Sequence, residues 1–180
     1  MKPLYFILSL LLVSTIASPL FAQEDAYIQE YLERMENSKK YLLLVAEMMP
    51  EEKYDFKATP ESLSFAENLM HIAWAMDWHS QSLMGGRPAR NWETDMELQV
   101  AEKTKAEMME TIENTFDTTI QFIKDFDVNN LKEELDYFGL TRSKRQILML
   151  LADHITHHRA QMLVSLRLNG LKPPRYVLFQ

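Results

Sequence analysis

The chain has no cysteine among its 180 residues. That absence removes disulfides, thiolate nucleophiles, cysteine-based zinc sites and a lipid anchor on an N-terminal cysteine. Any metal must be held by His, Asp or Glu, and any nucleophile must be Ser, Thr, a carboxylate or water. Glycine is scarce, with 4 residues against a 47% apolar fraction, so one domain can bury a real core with few backbone breaks. Strand-like alternation, internal repeats and low-complexity stretches are not evident past the N-terminus. Basic charge is also short: 19 Lys and Arg face 26 Asp and Glu, for a net charge of −7. No basic patch stands out, so nucleic acid is repelled rather than attracted.

The one long apolar run lies at the start. "MKPLYFILSLLLVSTIASPLFAQEDA" has a single Lys, the apolar stretch Leu4–Leu12, then small residues up to Ala22. It reads as a secretory leader, residues 1–22, cleaved near Ala22, although Leu20 is large for the −3 position. The run is short for a membrane anchor. The expected mature domain, residues 23–180, is therefore secreted or periplasmic, with a net charge of −8 once Lys2 is removed.

Four segments past the leader carry helical periodicity. The first runs from about Ala26 to Met49 on the seam Ile28, Leu32, Met35, Leu42, Val45, Met49, and Pro50 ends it. The second opens on the capping box Ser64–Glu67 and stops at Gly85-Gly86. The third opens on the capping box Thr104–Glu107 and continues to about Phe126 on the seam Met108, Ile112, Phe116, Thr119, Ile123, Phe126. The fourth starts near Thr141 or Ser143 and ends at Asn169-Gly170. This predicts an all-α four-helix bundle joined by long loops at 50–63, 85–103 and 127–140. A 21-residue helix is roughly 31 Å long. The 85–103 linker reaches about 60 Å when extended, so the second and third helices need not be antiparallel neighbours.

The chain holds five histidines, and three of them sit in "ADHITHHRAQM", residues 152–162. On the fourth helix the seam Ile147, Leu151, His154, His158, Gln161, Ser165, Leu168 places His154 and His158 on the inward stripe. Four residues apart, they project about 40° from each other and about 6 Å along the axis, a spacing at which two imidazoles can share one ion. The glutamate of HExxH is absent, with Ile155 in its place, so a zincin is excluded. On the second helix the seam Glu67, His71, Trp74, Trp78, Gln81 brings His71 inward as well. Three inward, unpaired imidazoles are unfavourable. One shared cation satisfies all three and leaves coordination positions open, the pattern of a catalytic metal site. The competing reading pairs these histidines with buried polar groups such as Gln161 and Ser165.

His157 falls at the edge of the stripe and reads as partly exposed, as does His79 at the end of the second helix. Glu67 and His157 are the weak candidates for a general base. Arg159 reads as a salt-bridge or carbonyl-capping residue. Trp74 and Trp78 read as bundle core before cofactor platform, with Trp74, one turn from His71, placed to wall a pocket.

"MPEEKYDFKATPESLSFAENLMHIAW" (49–74), "HITHHRAQ" (154–161) and "LRLNGLKPP" (166–174) resemble the DinB-like family of metalloenzymes, in order over nearly all of residues 25–178. The resemblance implies an up-down-down-up bundle with a long crossover between helices two and three. It implies a divalent ion on His71, His154 and His158, and frequent homodimers. Arg159 and Gln161 match the motif, while Ala160 stands where glycine is common. Some relatives are thiol-dependent transferases or isomerases, but low-molecular-weight thiols are scarce outside the membrane. The expectation is a secreted metal-dependent enzyme, a hydrolase or transferase acting on a small-molecule substrate. The alternative is a non-catalytic metal or small-ligand binding protein of the cell envelope. Three imidazoles do not choose among zinc, nickel, iron and manganese, and affinity order alone favours copper.

Overall fold

The computed structural model describes residues 2–91, 93–94, 97–100 and 103–176, with side chains described from residue 24 onward except residue 25. Its elements are α1 (Lys2–Met48), α2 (Phe65–Asp77), α3 (Lys105–Lys124), a two-stranded hairpin of β1 (Glu134–Tyr137) and β2 (Leu140–Ser143), and α4 (Lys144–Leu168). Neighbouring helix pairs are α1/α3, α3/α2, α2/α4 and α4/α1, which closes a four-helix ring around one core.

The direction of each helix follows from its cross-helix bonds. The Tyr31 hydroxyl donates to the Leu148 carbonyl at 2.7 Å, Arg34 pairs with Asp153 at 3.4 Å, and Arg159 donates to Ser38 at 3.3 Å. Both sets of numbers rise together, so α1 and α4 run parallel. Lys105 lies 3.5 Å from Glu47, Lys39 lies 2.7 Å from Asp117, and Lys124 lies 3.7 Å from Glu36, so α3 runs against α1. Asn68 meets His158 while His71 packs against His154, so α2 runs against α4. The bundle is up-down-down-up. The parallel pair α2/α3 requires residues 85–103 to travel back along the bundle. Asp77 fixes the start of that crossover through ion pairs with Arg87 and with Arg90, the latter at 3.2 Å.

The capping boxes form as expected. Ser64 Oγ accepts from the Glu67 N–H while Glu67 accepts from the Ser64 N–H at 2.6 Å, and Thr104 with Glu107 repeats the arrangement. Ser143 caps α4 in the same way with Gln146. Every residue of the α1 seam is buried, and so is the α3 seam apart from half-buried Phe126. At its N-terminal side α1 continues as helix back through Lys2, where a start near Ala26 was expected. The expected leader lies among the residues whose side chains are not described.

Three further features depart from the sequence expectation. On α4, Leu168 is 58% exposed, while Met162 and Leu166 are fully buried. Steps of four and three average 3.5 residues, and a straight α-helix drifts about 20° per heptad from that repeat, so three heptads swing the stripe away from Leu168. Second, the 127–140 connection is not a plain loop: it holds a short 3-10 turn, Val128–Lys132, and then the hairpin. Each strand has four residues, too few to show alternation by eye, and the turn is Phe138-Gly139 rather than the usual Asn-Gly. Third, α2 gives way at Trp78 to a π-helical segment, Trp78–Met84. There the His79 ring and the Ser80 hydroxyl donate to the Ala75 and Met76 carbonyls four residues back, at 2.6 and 2.7 Å. Side chains inserted into the helical ladder loosen it.

Replacing the buried cap in Ser64→Ala is expected to cost about 1 kcal/mol. The check is a lower urea midpoint at unchanged slope; an unaltered midpoint would count against the cap's role.

Candidate metal centre

Because His154 and His158 are one α4 turn apart, their ring centroids lie 4.5 Å from each other. His71 faces them from α2, with centroid distances of 5.1 Å to His154 and 4.5 Å to His158. One ring nitrogen from each of the three histidines lies within 4.8 Å of the other two.

The protonation of this cluster is set by its surroundings. Asn68, one helical turn before His71 and 1% exposed, donates through Nδ2 to the carbonyls of Leu63 and Ser64 at 3.2 and 2.8 Å. That fixes its amide, so Oδ1 faces His158 Nδ1 at 2.9 Å. A carbonyl oxygen only accepts, so Nδ1 carries the proton and Nε2 keeps a bare lone pair. His154 Nε2 is buried with no hydrogen-bond partner among the described residues. Burial, then the neighbouring imidazole of His71, pushes His158 down to about 3 and His154 to about 4. His71 is lowered by the same burial. At neutral pH all three rings are uncharged and offer lone pairs, the state a cation requires. An orphaned buried nitrogen costs free energy unless something accepts its lone pair.

A cavity of about 350 Å³ opens beside His71 and His154. Trp74, Trp78, His79, Tyr137 and Phe138 line much of the rest. His79 is 3% exposed. Its Nδ1 donates to the Ala75 carbonyl, so neutral Nε2 is an acceptor, and the Tyr137 hydroxyl donates to it at 3.1 Å.

The sequence pattern of the DinB family matches residues 22–179. The chain belongs to the DinB family. No curated protein matches it. Among solved structures, a DinB-like protein from Bacillus cereus superposes with a TM-score of 0.66 at 19% identity, covering 85% of this chain and 97% of its own. A DinB-like protein from Bacillus subtilis, YjoA, gives 0.62 at 19% identity, covering 86% and 97%. YfiT from Bacillus subtilis, described as a probable metal-dependent hydrolase with an unusual four-helix bundle topology, gives 0.58 at 15% identity, covering 84% and 90%. At these identities the likeness is one of fold.

Within this DinB bundle, the three histidines chosen from the seams do meet, but the α2 stripe that carries His71 is half-buried rather than core. Glu67, His71, Trp74, Trp78 and Gln81 all sit at this intermediate depth, and Leu69, Met70, Ile72 and Met76 form the core face. Trp74 and Trp78 accordingly wall the cavity instead of filling the bundle. Glu67 is held in its capping box and lies 3.1 Å from Lys57, so it is not a base at this site. His157 is exposed and pairs with Gln161 at 3.0 Å. Ser165 donates to the Gln161 carbonyl, so neither polar residue pairs with His154 or His158. Arg159 is 5% exposed, with its guanidinium 5.2 Å from the Tyr41 ring centre and a hydrogen bond to Ser38, where a salt bridge or a carbonyl cap was expected.

Two residues, Asn68 and Tyr137, escaped the sequence reading, and a third, His79, was placed too near the surface. Asn68 was visible as a polar residue inside an apolar helical run, three before His71. His79, the second histidine of that helical segment, was read as partly exposed, but it lies buried in the π-helical turn. Tyr137 carried no signal, because the hairpin that delivers it was not foreseen.

A depressed histidine pKa means the unfolded chain takes up protons first. The metal-free protein therefore loses stability as pH falls from about 6.5, the unfolded value, towards the folded values of about 3 to 4. Urea midpoints of the metal-free protein should fall between pH 7 and pH 4, less steeply in His154→Gln. Equal slopes would contradict the burial of a neutral imidazole.

Proposed function

We propose that this DinB-family chain is a metal-dependent hydrolase of the secreted or periplasmic space, with a divalent ion held by His71, His154 and His158. The observation that carries the reading is the buried, unpartnered Nε2 of His154, set between two further neutral imidazoles and beside an open cavity. Three ligands with an adjacent void suit a site that exchanges substrate, whereas structural zinc sites close with four protein ligands. When bound, such an ion supplies Lewis acidity, polarising a substrate oxygen and acidifying water.

The chain's own residues supply the rest. Asn68 fixes the tautomer and orientation of His158, a support that is typically worth 10- to 100-fold in metal affinity. The aromatic walls exclude bulk water from one side of the site. Tyr137, with His79 behind it as acceptor, is a proton-carrying pair on the cavity wall and can give or take a proton at the substrate. The description of YfiT as a probable metal-dependent hydrolase supports the reaction class. The leader expected over residues 1–22 supports the location, and there scarce thiols favour hydrolysis over thiol transfer.

The test is a panel of nitrophenyl carboxylic and phosphoric esters and anilides, offered to the chain loaded in turn with zinc, nickel, iron(II) and manganese. Hydrolysis that a chelator abolishes is expected. Tyr137→Phe should slow it by about 10²-fold or more with metal content retained. Stoichiometric metal without turnover on any substrate would instead indicate a binding protein of the cell envelope.

A further inference from the structure

We propose that the cavity beside the three histidines is a subsite for a neutral aromatic group of the substrate, with Phe138 as its outer wall. The proposal deepens the hydrolase reading and rests on it for what reacts at the inner end; the cavity itself does not depend on a metal.

Size comes first. At about 350 Å³ the cavity falls in the range of roughly 300–1,000 Å³ found for small-ligand sites. Charge comes second. Arg90 lines the cavity, but Asp77 at 3.2 Å and Glu97 at 2.6 Å take up its charge, and Asp77 is shared with Arg87. The walls thus present ring surfaces and no uncompensated ion. Rings of this kind pack best with another ring, offset or edge-to-face. Trp78 already packs, with the rings tilted, against Phe138 at 5.3 Å and Tyr137 at 5.8 Å between centroids.

Phe138 is the residue that separates a built subsite from an accidental hollow. It is 78% exposed, so its burial contributes little to folding. Its φ is +54°, and Gly139 follows at +79°, the two left-handed positions of a type I′ hairpin turn. Asn, Asp or Gly adopt the first of these with ease, whereas a bulky side chain there is strained. Neither burial nor turn geometry accounts for Phe at this place. A ring needed on the lip of the cavity, against Trp78, does.

Asn at this position removes the ring and relieves the backbone, so Phe138→Asn separates the two roles. The experiment has two arms on the full chain. In the first, zinc-loaded protein is titrated calorimetrically with benzohydroxamate and acetohydroxamate, whose zinc-binding heads are the same. The phenyl group should improve affinity by about tenfold or more. Phe138→Asn should shrink that ratio toward one while its melting temperature stays equal or rises. In the second, metal-free protein is titrated with benzyl alcohol while the tryptophan indole N–H resonances are followed by NMR. Assigned Trp74 and Trp78 signals should shift, and Phe138→Asn should weaken the response. Loss of hydroxamate binding with the benzyl alcohol shifts intact would remove the metal reading and keep the subsite. Equal affinity for the two hydroxamates, no indole shift with benzyl alcohol, or a lower melting temperature in Phe138→Asn with the affinity ratio retained would each overturn the proposal.

Discussion

Three imidazoles packed against one another, His158 buried and His71 and His154 half-buried, and all uncharged, are the constraint on which this structure turns. Such a cluster is costly: each ring loses hydration, and His154 Nε2 finds no partner among the described residues. Protonation does not relieve it, because burial and the neighbouring rings hold His154 and His158 far below their ordinary range. The protein keeps the cluster in order by other means. Asn68 spends both amide protons on the chain entering α2, which leaves its oxygen to orient His158. That amide bond leaves the His158 Nε2 lone pair unprotonated, the form in which an imidazole can serve as a metal ligand.

The topology explains why the cluster has a void next to it. Antiparallel α2 and α4 bring His71 opposite His154 and His158, while the parallel α2/α3 pair forces a long crossover to leave the end of α2. The hairpin enters α4 directly through Ser143, its last strand residue and the α4 cap. Its tip is therefore carried to the end of α2, where the π-helical turn presents Trp78 and His79. The hairpin lines this corner with Tyr137 and Phe138 and brings the Tyr137 hydroxyl to His79.

Much of this was legible in the sequence, and the reason is periodicity joined to capping. Ser64 and Thr104 announced two helix starts through side-chain acceptors paired with Glu three residues on, while the α4 start was placed near Thr141 or Ser143 and the Ser143–Gln146 box emerged only in the structure. The inward spacing of His154 and His158, with His71 on another seam, located the cluster. What failed was local and non-periodic. The 3.5-residue stripe placed Leu168 inside, when helical drift carries it out. A four-residue strand pair with Phe-Gly at the turn gave no recognisable hairpin signal, so Tyr137 and Phe138 were lost with it. His79 looked peripheral because an α-helical projection does not anticipate the wider turn that buries it. The half-buried depth of the α2 stripe was also out of reach, since a pocket-facing residue and a core residue share the same spacing.

The most direct measurement is the metal content of the protein, purified without an affinity tag or chelator, by mass spectrometry beside His158→Ala and a surface control, His157→Ala. A three-histidine centre predicts close to one divalent ion per chain in the parent and in His157→Ala, and loss of that ion in His158→Ala. No metal in the parent after incubation with zinc, nickel, iron(II) and manganese, or the same content in all three proteins, would contradict it.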